Sequence, residues 1–75
     1  MRVGLVVVLG EAARVTSFAL GGATVVTAED PDAVRRGWEA LPDEVAVVVL
    51  TERAAAALGP DAAGHEGTLR VVMPA

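Results

Sequence analysis

Four short apolar runs, separated by amphipathic or polar segments, set the pattern of this chain. The most continuous of them is residues 45–50, which contains no polar residue and ends at Thr51-Glu52-Arg53. A strand that is apolar on both faces must be covered on both faces, which is typical of a central strand in a parallel sheet between layers of helices. This run therefore predicts an α/β fold, with the end of a central strand at Thr51.

The rest of the chain extends this alternation of strands and helices. We predict strands at residues 3–9, 23–27, 45–50 and 69–73, and helices at residues 11–20, 31–41 and 52–58. Asp30 before Pro31 is a typical N-cap followed by a first-turn proline, and Thr51 can cap the third helix in the same way. Gly21-Gly22 and Gly59-Pro60 are typical helix stops.

Right-handed crossovers restrict how these elements assemble. We expect one small three-layer, receiver-like (flavodoxin-like) α/β domain over residues 1–75. Its four-stranded parallel sheet has order 2-1-3-4, with three helices and no helix after the last strand. The first helix then lies alone on one face, which stays bare over strands three and four. Alternation along strand four places Arg70 on that bare face. An apolar patch with an arginine at its rim favours a contact surface, although a few tolerated exposed valines would look the same.

Composition limits the function classes. Hydrophobic residues make up 53% of the 75 residues but aromatic ones only 3%, so the core is built from small side chains with little room for a cofactor. The chain has no Cys, which excludes a disulfide framework and a Cys-based metal site. Its net charge of −4 argues against nucleic acid or an anionic membrane as the main partner. No apolar run approaches the ~20 residues that span a bilayer, so we expect no membrane insertion. No cysteine pair requires an oxidising compartment, so we expect a cytoplasmic location.

Residues that could carry catalysis stand isolated. The turn Gly10-Glu11 has one glycine and an acidic side chain where a nucleotide phosphate would sit, and the chain has no Lys for receiver phosphorylation. His65 is the only histidine and Ser17 the only serine. We expect His65 to be solvated and Ser17 to lie on a helix surface. Trp38 shares helical spacing with Val34 and Leu41, which favours a core position over a binding one. The sequence therefore predicts no enzyme, cofactor or metal.

Several segments, in order, resemble the F subunit of the vacuolar/archaeal-type (V/A-type) rotary ATPases. They are the first strand and turn at residues 2–10, the "VTSFALGG" helix at 15–22 and the acidic entry to helix two at 28–31. The "VVVLTER" block at 47–53 and the last strand with its proline at 69–74 complete the set. The chain departs from the family pattern in the turn Glu11-Ala12-Ala13-Arg14, in a short connection before strand four, and in lacking the family's helix after that strand.

The resemblance implies a non-catalytic central-stalk (rotor) subunit of a proton- or sodium-translocating ATPase/ATP synthase, peripheral to the membrane. It would bind the coiled-coil stalk subunit, with the catalytic head as a second contact, and support torque transmission. Our candidate partner contacts are Arg14, Ser17, Phe18, Thr51, Glu52, Arg53 and Arg70.

Alternatives stay open at this point. Phe18 also fits a core position, and Glu52 and Arg53 fit plain helix-start charges. The whole chain could instead be a stand-alone regulatory or interaction module with a degenerate receiver-like fold, self-associating weakly through the uncovered sheet face. A small enzyme or ligand-binding domain is a third reading.

Overall fold

A computed structural model describes residues 4–60 and 62–74, except for the side chains of Ala19 and Leu20. Within these residues a parallel sheet of order β2-β1-β3-β4 is combined with three α-helices. A 3₁₀ helix, Thr16–Gly21, continues directly from α1. The predicted α/β fold, sheet order and final strand are confirmed; Val3, our predicted start of the first strand, lies outside the described residues. In chain order the elements are β1 Leu5–Gly10, α1 Ala12–Val15, β2 Thr24–Thr27, α2 Pro31–Glu39, β3 Val45–Leu50, α3 Glu52–Leu58 and β4 Leu69–Val72.

The capping signals in the sequence form as predicted. The Asp30 carboxylate accepts a hydrogen bond from the Ala33 N–H at 2.8 Å, so it satisfies one free donor at the start of α2. The Thr51 hydroxyl accepts one from the Ala54 N–H at 3.2 Å at the start of α3. Gly59 ends α3 with a φ of 80°, which a residue with a Cβ rarely adopts. Local residue chemistry thus sets where α2 and α3 begin and where α3 ends.

Two cores of unequal size hold the layers together. The larger lies between the sheet and α2 and α3, and it includes Trp38, which is buried as predicted. The smaller lies between the sheet and α1, and its buried members are Val8, Val15 and Met73. Two helices cover one face and a single short helix covers part of the other, so burial is strongly asymmetric.

The face beside α1 is bare over part of the sheet. The register pairs Val6 with Val47, Val47 with Leu69 and Val49 with Val71, so these side chains share one face. Val6, Leu69 and Val71 are 44%, 61% and 41% exposed. We call the side chains of Val6, Val47, Leu69 and Val71 the bare face. The predicted gap in coverage over β3 and β4 is confirmed.

Arg70 does not lie on the bare face, so that prediction was wrong. The register pairs it with Val48, a member of the larger core, and this places its side chain on the α2/α3 side. Its guanidinium lies 4.6 Å from the centroid of the Trp38 ring. It also donates hydrogen bonds to the carbonyls of Gly59 and Ala62 at 3.1 and 3.2 Å. Alternation separates the two sets of β4 side chains, but only the pairing with β3 assigns each set to a face.

The first helix is shorter than the predicted 11–20. It forms α-helical turns only over Ala12–Val15, and the 3₁₀ helix then runs to Gly21, before Gly22 with a φ of 86°. Two consecutive β-branched residues, Val15 and Thr16, lower the α-helical preference at the point of change. Phe18 is 40% exposed, so its alternative assignment to the core is wrong. Ala19, predicted to share an inner stripe with Phe18, has no described side chain.

The expectation that His65 is merely solvated was also wrong. Its Nε2 lies 2.9 Å from the Trp38 carbonyl oxygen, and the two rings meet edge to face with centroids 4.9 Å apart. The loop can turn back because Gly64 and His65 both adopt positive φ, 92° and 56°. The Trp38 Nε1–H donates to the Ala63 carbonyl at 2.9 Å. Trp38 therefore holds the connection between α3 and β4 in place through two hydrogen bonds and one ring contact.

The asymmetric core predicts a sharp contrast between two leucines. Leu50→Ala removes a side chain that is 2% exposed, and we expect it to lower the free energy of unfolding by about 2–5 kcal/mol. A domain of this size has a total of roughly 4–11 kcal/mol, so this loss is a large share of its stability.

Leu69→Ala is the matched control, because its leucine is 61% exposed; its effect should stay within about 0.5 kcal/mol. Urea denaturation followed by circular dichroism measures both variants. Equal losses of stability would contradict the assignment of the larger core.

Candidate interaction surface

Strand ends meet at one edge of the sheet, where parallel α/β proteins commonly receive ligands and partners. Glu11 follows β1, Glu29 lies shortly after β2, and Thr51 follows β3. Because β1 lies between β2 and β3, the topology brings these three chain segments together. This carboxyl edge, defined by Glu11, Glu29 and residues 51–53, is the first candidate surface.

Thr51 organises the carboxyl edge from inside. It is 1% exposed, and its hydroxyl donates to the Glu11 carboxylate while it accepts from the Ala54 N–H. Its methyl group packs over Gly10: a Cβ at Gly10 would come within 2.3 Å of Thr51 Cγ2. Only glycine leaves room for this arrangement. Thr51 therefore positions Glu11 and caps α3, and its own side chain is hidden from a partner.

Glu29 forms a second hydrogen-bonded link between chain segments at the carboxyl edge. Its carboxylate accepts a hydrogen bond from the Ala12 N–H at 2.9 Å, which satisfies one free donor at the start of α1. Glu11, the residue before α1, makes no side-chain cap of its own because its carboxylate is directed to Thr51. The two carboxylates thus connect the ends of β1, β2 and β3.

The hydrogen bond from Thr51 lowers the pKa of Glu11 below the usual glutamate value, and the backbone N–H of Glu11 acts in the same direction. The positive charges of Arg53 and Arg14 lower it further, while partial burial opposes the shift. Glu11 is therefore ionised at neutral pH, and its negative charge interacts with Arg53 from α3 and Arg14 from α1. The carboxyl edge therefore carries charges of both signs.

The clefts at the two sheet edges differ in size and lining. A cleft at the carboxyl edge has a volume of about 60 Å³, and its rim includes Glu11, Glu29, Asp30 and Arg53. Cofactor and drug-sized sites usually have about 300–1,000 Å³. A broader, open depression of about 320 Å³ at the opposite edge is lined by glycines and apolar residues, with Thr24 as its only polar side chain. Across residues 4–60 and 62–74 no cluster of His, Cys, Asp or Glu could hold a metal ion.

The predicted contact residues fall into three places. Glu52 and Arg53 are exposed at the carboxyl edge, above buried Thr51. Arg14, Ser17 and Phe18 are exposed on the α1 side. Arg70 lies apart from both groups, half-buried against Trp38.

Arg14 lies between the carboxyl edge and the chain just after β4. Its guanidinium donates to the Pro74 carbonyl at 3.1 Å, just beyond β4, and its charge acts on Glu11. Our sequence interpretation gave Glu11 and Glu29 no role in a contact surface. Their positions in the sequence carried a usable signal. Glu11 follows the predicted first strand and Glu29 the predicted second strand, and the predicted sheet order makes these two strands neighbours.

The fold defines a small receiver-like α/β protein with an incompletely covered sheet face and a charged carboxyl edge. Residues 6–74 match the family model described as the ATP synthase (F/14-kDa) subunit. The match covers nearly the whole chain, and the chain belongs to this family, the F subunits of the V/A-type ATPases, which are non-catalytic parts of the rotary enzyme. The resemblance drawn from the sequence is thereby confirmed.

No curated protein and no solved structure matches the chain significantly. In the part of the chain that the structure describes, no helix has the length and apolar character needed to cross a bilayer.

Removing the Thr51 hydroxyl should have two linked effects. Thr51→Val leaves the Ala54 N–H and the Glu11 carboxylate without their common partner, so we expect the free energy of unfolding to fall by about 1–2 kcal/mol. The pKa of Glu11 should rise toward the ordinary glutamate value. Carboxyl carbon NMR across a pH titration measures the second effect, and Thr51→Ser, which keeps the hydroxyl, is the control. An unchanged Glu11 titration in Thr51→Val would contradict the assigned cause.

Glu11 should also make stability depend on pH. Its folded pKa lies below its unfolded value of about 4.3, so its ionised form adds stability above that pH, and this is lost as pH falls through the folded pKa. Glu11→Gln lacks this contribution. The difference in free energy of unfolding between the parent and Glu11→Gln should therefore be largest near neutral pH and shrink in acid. Urea denaturation at both conditions tests this, and a difference that grows in acid would show the opposite sign.

Proposed function

We propose that this chain is a central-stalk (rotor) subunit of a V/A-type, proton- or sodium-translocating ATPase/ATP synthase. In this role it lies in the cytoplasm, peripheral to the membrane, binds the coiled-coil stalk subunit and supports torque transmission toward the catalytic head. Membership of the F/14-kDa family supports the placement in a rotary ATPase. The specific partner and the mechanical role are argued below from the surface.

The bare face is the observation that carries the proposal. Three large aliphatic side chains, those of Val6, Leu69 and Val71, are each at least 40% exposed on one side of the sheet. Contiguous apolar patches of this kind mark interaction sites. An apolar helix stripe packs well against a sheet face, because each buries the apolar surface of the other. A long helical subunit that covers this face would complete the missing layer over β3 and β4.

Charged and aromatic groups around the face supply specificity. Phe18 is 40% exposed on the α1 side, where it can anchor a partner as aromatic residues often do at interface centres. Arg14 lies between the carboxyl edge and Pro74, which follows β4. Glu52 and Arg53 at that edge can set the register of a partner helix through charge pairing. Thr51, being buried, contributes by holding Glu11.

A torque-bearing subunit has to be stiff, and the core meets this demand. Val7, Val8, Leu9 and Val48 are each at most 1% exposed, which indicates dense packing of short side chains about the central strands. The Thr51–Glu11 and Glu29–Ala12 hydrogen bonds tie the strand ends at the carboxyl edge. The domain can thus transmit force between surfaces without internal rearrangement.

The stalk assignment is tested by co-purification with the coiled-coil stalk subunit of the same source. We expect a one-to-one complex at low salt. Phe18→Ala should weaken it by about tenfold or more, because truncating an aromatic anchor typically costs at least ~1–2 kcal/mol. Arg53→Glu should weaken it in a salt-dependent manner, because it reverses a rim charge.

Arg36→Glu is the matched control, since Arg36 is also exposed but lies on α2, away from both candidate surfaces. This variant should bind like the parent. Failure of the parent chain to form the complex at low salt would remove the proposal and favour the stand-alone interaction module. Equal weakening by Arg53→Glu and Arg36→Glu would indicate non-specific charge effects.

A further inference from the structure

Among residues 4–60 and 62–74, no strand pairs with the outer edge of β4. The Met73 N–H donates to the Leu50 carbonyl on β3 at 2.7 Å. Successive residues of a strand point their backbone groups to opposite sides, so Leu69 and Val71 also face β3 while Arg70 and Val72 face outward. In the described part of the chain, no hydrogen bond from outside the sheet reaches the outward backbone groups of Arg70 or Val72.

Side chains do not guard this edge either. Natural edges are commonly protected by a projecting charge, a proline or a bulge. The only charged residue of β4 is Arg70, and its guanidinium is withdrawn onto Trp38 and the Gly59 and Ala62 carbonyls. Val71 is 41% exposed on one face of the strand and Val72 is 51% exposed on the other. The opposite edge, β2, begins and ends with exposed threonines and is more polar.

We propose that two copies of this chain pair through their β4 edges, antiparallel about a two-fold axis, to form a continuous eight-stranded sheet. This goes beyond the proposed rotor function, since it concerns the chain when no stalk subunit is bound. It also differs from face-to-face packing, because the contact is made by the backbone of β4 and not by the bare face.

The sequence of β4 selects one register for this pairing. Pairing Arg70 with Arg70 of the second copy would bring two cationic residues together and leave the exposed Val72 opposite the polar Thr68, so neither pair is favourable. Pairing Val72 with Val72 would bring Pro74 opposite Arg70, and proline has no N–H to donate. The remaining arrangement pairs Arg70 with Val72 in both directions. Both residues present outward backbone groups, so each of these two pairs can exchange two hydrogen bonds.

In this register the side chains are complementary. Val71 lies beside the two-fold axis and faces Val71 of the second copy. The two form a non-hydrogen-bonded pair, the kind in which side chains approach most closely. On the other face, Val72 lies opposite the aliphatic stem of Arg70, whose charge is already directed toward its own protomer. Two exposed apolar residues are covered without bringing charges together. Such a short contact is smaller than a standard interface of ~1,600 Å², so the dimer forms at high protein concentration.

A single introduced cysteine tests the pairing, because the chain contains none. Close antiparallel pairs have Cα atoms about 4.5 Å apart, within the range that a disulfide spans. Under mild oxidation of the full chain, Val71→Cys should form a covalent dimer, read on a non-reducing gel. Val6→Cys is the matched control, since Val6 is similarly exposed on the same face but lies on β1, away from the edge. At equal concentration we expect Val6→Cys to give about tenfold less covalent dimer than Val71→Cys. A modest difference in pairing free energy produces a ratio of this size.

A second substitution separates specific pairing from random collision. Adding Val72→Lys to Val71→Cys puts a positive charge opposite Arg70 of the second copy, and it should reduce the covalent dimer about tenfold, whereas Val72→Thr should leave it unchanged. Circular dichroism confirms that each variant is folded. Equal cross-linking by Val71→Cys and Val6→Cys would assign the contact to the bare face and overturn the proposal. No dimer from Val71→Cys, or no effect of Val72→Lys, would overturn it as well.

Discussion

Three crossover connections must cover both faces of a four-stranded parallel sheet in the order β2-β1-β3-β4. Since the connections are right-handed, the first places α1 on one face, and the other two place α2 and α3 on the opposite face. One face therefore receives a two-helix layer and a large core, while the other receives a single short helix and a small one. The bare face and the unequal packing of the domain both follow from this unequal coverage.

A second constraint operates where the strands end. Thr51 is hidden beneath the surface, yet it sets the position and the charge of Glu11, which lies at the candidate contact edge. Gly10 is required beside it because a Cβ would collide with the threonine side chain. The same small group of residues thus joins β1 to β3, starts α3 and presents fixed charges. Stability and recognition are coupled at this point, and a change to Thr51 affects both.

Much of the fold could be predicted from local signals. The apolar run of β3, the caps Asp30 and Thr51, and the burial of Trp38 come from periodicity and capping chemistry, which act over a few residues. The candidate surface was predicted only in part. Glu52 and Arg53 are exposed at the carboxyl edge and Arg14 and Phe18 on the α1 side, but Arg70 was placed on the wrong face and His65 in the wrong environment. Both errors concern contacts with Trp38, which lies 27 positions before His65 and 32 before Arg70 along the chain.

The amino-acid sequence was enough to establish the order of strands and helices, the lack of cysteine chemistry and the membership of the F/14-kDa family. These properties depend on near neighbours or on the whole pattern of residues. The face on which Arg70 lies and the bond between Thr51 and Glu11 became clear only in the assembled fold. Each depends on strand register or on groups brought together from distant parts of the chain, and alternation along one strand carries no information about either.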